Sequence, residues 1–152
     1  ITLENERLSG SEPVADIRVR SAKLHGTSFG AAIMPRLIDE IPVLTVAAMF
    51  AQGDTVITGA GELRVKETDR LQAITDQFNK LRSCIDGTED GLIIHGGQQE
   101  FTPANCFSYH DHRIAMALAV AGAAGGGLTI EEADCVKISY PDFYETLAGL
   151  AK

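Results

Sequence analysis

From Ile41 the run IPVLTVAAMFAQ is apolar on almost every side until Gly53 closes it, and a helix with no polar face belongs inside a fold. HRIAMALAVAGAAGGG, from His112 onward, repeats that pattern, with Asp111 where an N-cap belongs and a glycine run at the end. Between them ETDRLQAITDQFNKLRS carries Leu71, Ile74, Phe78 and Leu81 at offsets of three and four, the stripe of an amphipathic helix covering a core from one side. That pattern predicts Glu67 in the helix's first turn. Short β-rich runs, some alternating with period two, fill the intervals: ITLEN and VADIRVRS either side of the turn-prone SGSEP, then DTVITGA and LTIEEA. HGTSFG reads as a loop, and CIDGTEDGLIIHGG as a hairpin turning among Gly87, Glu89, Asp90 and Gly91. Ser139 and Asp142, with Pro141 between them, form an S-x-x-D capping box opening a last helix, PDFYETLAGL.

The order contains a repeat. Asp39 and Asp111 lie 72 positions apart, each shortly before an apolar helix, and Gly53 and Gly125 lie 72 apart at the helix ends. Lys66 and Lys137 lie 71 apart, preceded by Val65 and Val136 and followed by helices. The expectation is one α/β domain of two similar units, roughly 1–80 and 81–152, with Lys66, Lys137 and both apolar-helix N-termini at one edge. Two unrelated Ala-rich helices, each followed by a strand, would align almost as well over a short stretch.

With 152 residues, 45% apolar and 22% charged, the chain has enough material for one buried core and is neither disordered nor collagen-like. No run approaches the roughly 20 apolar residues of a bilayer span, and ITLENERLSG has no signal-peptide pattern. Three scattered cysteines, Cys84, Cys106 and Cys135, suit a reducing cytoplasm better than a disulfide framework. A net charge of -8 excludes a nucleic-acid face, so any anion site must be local. The basic side chains near helix starts are Lys66, Arg70, Arg113 and Lys137. Two arginine forks and two mobile ammonium groups suit a substrate with several negative charges. Asp39 and Glu67 are candidate acid or base groups; on spacing alone Glu67 and Arg70 also fit a solvated ion pair, and Asp39 a simple cap. His110, Asp111 and His112 do not share a face and have no third partner at metal-ligand spacing, so no metal site is expected. No nucleophile elbow or glycine-rich phosphate loop is present.

ELRVKETDRL from Glu62, HDHRIAMALAVAG from His110, CVKISYPDFYETL from Cys135 and RLIDEIPVLTVAA from Arg36 together resemble the C-terminal signatures of the 5-enolpyruvylshikimate-3-phosphate synthases. The resemblance covers essentially the whole chain. It implies an inside-out α/β domain of repeated βαβαββ-type units, with buried Ala-rich helices and outer sheets. It also implies that this sequence is about two of the three units in one of the family's two domains, and that its partner is the remainder of a monomeric enzyme. The implied reaction moves the enolpyruvyl group of phosphoenolpyruvate to the 5-hydroxyl of shikimate 3-phosphate and releases phosphate, without metal or organic cofactor. Carried over by position, Asp39 would contact the 5-hydroxyl as base and Lys66 would bind the shikimate phosphate. Arg70, Arg113 and Lys137 would hold phosphoenolpyruvate, Glu67 would move the proton at its methylene carbon, and Lys137 is a further proton carrier. His112 is expected to be mainly structural. For this chain alone, an inactive anion-binding domain is the competing reading, and an enolpyruvyl transferase for another alcohol a third.

Overall fold

In the computed structural model, which describes residues 1–98 and 100–150, alternation at the N-terminus becomes an antiparallel hairpin of β1 (Thr2–Ser9) and β2 (Glu12–Arg18). Both strands run further than the turn-prone SGSEP suggested. Only Gly10, at φ 66°, and Ser11 are left to turn the chain, and Ser9 faces Glu12. Leu3, Leu8 and Ile17 stay more than half exposed, so this hairpin contributes no core.

The body begins with β3 (Ser28–Phe29), inside the expected loop. A short helix α1 (Met34–Leu37) and a 3-10 turn, Ile38–Glu40, lead directly into α2 (Ile41–Phe50). α2 is the crossover to β4 (Asp54–Ile57), which pairs parallel with β3. A second 3-10 turn, Gly61–Val65, precedes α3 (Arg70–Leu81). α3 starts later than its apolar pattern suggested, because the Asp69 carboxylate accepts the Gln72 N–H at 3.0 Å and so caps it. Glu67 therefore precedes the helix instead of standing in its first turn. The expected hairpin follows as β5 (Ile85–Gly87) and β6 (Leu92–His95), completing a sheet of order β3-β4-β6-β5.

β7 (Asn105–Phe107) was not anticipated; three residues amid polar ones carry no periodicity. From it α4 (His112–Gly125) crosses to β8 (Thr129–Glu131), again parallel. A 3-10 turn, Ala133–Ile138, leads to α5 (Phe143–Leu150). The capping box at Ser139 is not made: its N–H ends the preceding turn by donating to Val136 O at 3.1 Å, and α5 opens four residues later. Strand, apolar helix, parallel strand, 3-10 turn and helix thus occur twice, over 28–81 and 105–150.

α2 packs against α4, burying Ile41, Met49, Ile114 and Leu118, and α3 adds Leu71, Ile74, Phe78 and Leu81. Each such side chain contributes about 1.5–3 kcal/mol. The enclosure is incomplete, since Val43 of α2 is 44% exposed and Ala123 and Ala124 of α4 face outward. Among the described residues no helix is long and apolar enough to cross a membrane.

Candidate functional site

Arg70 is the first residue of α3, yet it is only 1% exposed. A guanidinium removed from water without counter-charge costs several kcal/mol, so its partners decide whether this position is possible at all. Asp111, fully buried at the cap of α4, accepts from Nε at 2.7 Å and from Nη2 at 3.4 Å. Asp39, in the 3-10 turn before α2, accepts from Nη1 at 2.9 Å, and Glu67 accepts from Nη2 at 2.6 Å. Burial works against the charge of Arg70; the Asp111 hydrogen bonds and charge, then Glu67 and Asp39, outweigh it and leave the group more basic than an ordinary arginine.

The same Asp111 carboxylate fixes a second cation. Its Oδ1 accepts the backbone N–H of Arg113 at 2.8 Å and of Ile114 at 3.3 Å, which sets the start of α4. From there the Arg113 guanidinium reaches Asp39, with Nη2 3.4 Å from Oδ2 and Nη1 donating to the backbone carbonyl at 3.1 Å. Lys66 pairs with Glu62 at 2.8 Å. Its ammonium is held above the usual lysine range by the Glu62 hydrogen bond, against some desolvation, with Asp39 helping and Arg70 opposing. Beside Asp39 and Arg113 opens a cleft of about 220 Å³ walled by Pro42, Val43, Met116 and Phe143. A larger groove, about 520 Å³, runs along α4 past Gly122 and Tyr144 but is lined by no charged residue.

The structure thus gathers Asp39, Glu67, Arg70 and Arg113 into one cluster with Lys66 at its margin. Lys137 stands differently: 66% exposed, it is bonded to Asp134 at 2.6 Å and pulls that carboxyl below the usual range, and among the described residues no ion pair joins it to the cluster. His112 opens α4, and His110 pairs with Glu132 at 3.1 Å. Sequence reasoning treated Asp111 as a cap and stopped there; its buried grip on Arg70 had no separate signal. Two supports were also unforeseen. Arg64 donates to Thr88 O and Glu89 O at 2.7 and 2.8 Å and pairs with the capping Asp69, tying the approach to α3 onto the β5-β6 turn. Buried Ser108 donates to Glu132 O at 3.0 Å and accepts from His110 N at 3.2 Å. It braces Tyr109 and His110, both left-handed at φ 55° and 56°, directly before Asp111.

Cations backed by fixed carboxylates can seat an anionic ligand, and the half-exposed Asp39 and Glu67 beside them can exchange protons with it. The family model for EPSP synthase (3-phosphoshikimate 1-carboxyvinyltransferase) matches residues 6–147. The 3-phosphoshikimate 1-carboxyvinyltransferases of a Synechocystis strain and of Salinibacter ruber are 53% and 52% identical over 100% and 99% of this chain. The chain spans 34% and 35% of those relatives, about a third of their length. Among solved structures, EPSP synthase from Acinetobacter baumannii superposes with a TM-score of 0.89 at 43% identity, over 99% of this chain and 35% of that one. The enolpyruvyl transferase NikO from Streptomyces tendae shares the fold, with a TM-score of 0.65 at 24% identity, over 97% and 33%.

Proposed function

The chain belongs to the EPSP synthase family, and from that membership we propose that it carries the cation cluster at which phosphoenolpyruvate gives its enolpyruvyl group to the 5-hydroxyl of shikimate 3-phosphate. The observation that carries the reading is the meeting of Arg70, Arg113, Asp39 and Glu67 from three separate helix starts.

The chemistry asks for four things. The hydroxyl must lose its proton as its oxygen bonds to the phosphate-bearing carbon of the enol, and the methylene carbon must gain one. Phosphate must then leave as the resulting methyl group gives a proton back, restoring the double bond. Throughout, the carboxylate and phosphate must be held by fixed cations. Asp39 is the base for the hydroxyl and Glu67 the group that moves the methylene proton. Arg70 and Arg113 hold the carboxylate or phosphate of phosphoenolpyruvate, and Lys66 meets the shikimate phosphate. Lys137 joins them as a further anion contact and proton carrier when Asp134 releases it. The donors are organic cations throughout, and the reaction requires no metal or organic cofactor. The remaining two-thirds of the protein is the partner that closes over these residues, in a monomeric enzyme of the cytoplasm.

The test is phosphate release from phosphoenolpyruvate and shikimate 3-phosphate by the full-length protein, with the product identified by mass. Product formed with a different alcohol but not with shikimate 3-phosphate would overturn the substrate; no release with any alcohol would leave an anion-binding domain.

A further inference from the structure

The three carboxylates around Arg70 differ in what else holds them. Asp111 is fully buried, grips Arg70 with both oxygens, and is fixed in turn by the N–H groups of α4. Glu67 is half-exposed and touches Arg70. Asp39 alone spans two cations: Oδ1 is 2.9 Å from Arg70 Nη1, and Oδ2 is 3.4 Å from Arg113 Nη2. It does so while 40% exposed, at the edge of the cleft. Two oxygens shared between two guanidinium groups is the geometry in which a ligand's carboxylate or phosphate would be received.

We propose that the Asp39 carboxylate is a place-holder in a two-arginine anion seat, which the anionic substrate displaces while Asp111 keeps Arg70 in position. The proposal rests on the substrate reading above and adds how the seat is filled and emptied. The exchange is one anion for another, so the buried Arg70 charge is never left uncompensated. A pair whose carboxylate is 40% exposed and can turn to water is easier to give up than the Arg70-Asp111 pair, which is buried on both sides. Once displaced, Asp39 has both oxygens free, so the base becomes available only when the acceptor of the hydroxyl's oxygen is already seated.

The experiment is calorimetric titration of the full-length protein, folded by circular dichroism, with two probes that cannot react: phosphoenolpyruvate without any acceptor alcohol, and inorganic phosphate alone. Asp39→Asn should tighten binding by about threefold, and Asp39→Ala at least as much, because the competitor is gone. Glu67→Gln removes the same charge beside the same guanidinium but leaves the seat occupied, so binding should change by less than about twofold. Asp111→Asn retains a capping side chain but loses the anchor, and should weaken binding by about tenfold or more. Should Asp111→Asn fail to fold, the contrast between Asp39→Asn and Glu67→Gln decides alone. If neither probe binds Asp39→Asn more tightly, or Glu67→Gln tightens binding equally, the place-holder is overturned while phosphoenolpyruvate binding by the unsubstituted protein still supports the substrate reading. If phosphate shows the expected order but phosphoenolpyruvate does not bind, the exchange stands and the substrate reading falls.

Discussion

Glu67 and Arg70 form the same 2.6 Å ion pair whichever side of the helix boundary Glu67 lies on, but the boundary changes what Glu67 can feel. Ahead of the Asp69 cap it stands outside the helix, and its ion-pair partner there is Arg70. In the full-length enzyme Glu67→Gln should lower kcat by two orders of magnitude or more, with phosphoenolpyruvate affinity changed far less; a near-normal kcat would make Glu67 only an orienting residue for Arg70. Arg70→Ala should weaken phosphoenolpyruvate binding and also destabilise the fold by about 3–5 kcal/mol, because Asp111 is left as a buried, unpaired charge. Denaturant titration beside ligand titration separates the two effects. The residues of this cluster were legible from chemistry and the family resemblance: Asp39, Glu67, Arg70 and Arg113 do meet. The depth of Arg70 was not, because an arginine at a helix start looks the same in sequence whether solvated or buried.

Caps and pairings decide the elements. Asp69→Ala should cost about 1 kcal/mol in thermal unfolding of the chain, whereas Ser139→Ala should stay within about 0.5 kcal/mol, since only the first side chain caps its helix. The sequence reading placed a cap at Ser139 and named none at Asp69; a pattern of residue types cannot say that the Ser139 N–H is already spent on the preceding turn. Long apolar runs were legible as α2 and α4, while the three-residue β7 exists only because β8 lies beside it. In the sheet, His95 on β6 bridges Asp86 on β5 and Asp54 on β4, at 2.9 and 3.2 Å. Those contacts, Asp86 foremost, raise its pKa. The stabilisation is therefore full below the unfolded-state pKa of about 6.5 and fades as pH rises through the elevated folded value. The melting-temperature gap between the unsubstituted chain and His95→Gln should be larger near about pH 5.5 than near about pH 9; a gap growing with pH would contradict the bridge.

At the scale of the molecule, 152 residues carry a cation cluster with a small cleft beside it. The purified chain should release no phosphate from phosphoenolpyruvate and shikimate 3-phosphate above background, because excluding water and aligning both substrates takes a closed site; steady turnover by the chain alone would refute this. The whole-molecule arrangement was the least legible level, since residues spaced 72 apart in sequence say nothing of how their surroundings bury them. Arg70 and Asp111, 41 positions apart, are joined in the interior, and each is costly to bury there without the other. A nascent chain that has not yet supplied Asp111 must leave Arg70 in water, so α3 cannot settle fully until α4 docks. Completion of the core and completion of the cluster are then coupled through one buried ion pair. A chain that lacks this pair therefore loses twice, in stability and in the placing of the Arg70 fork.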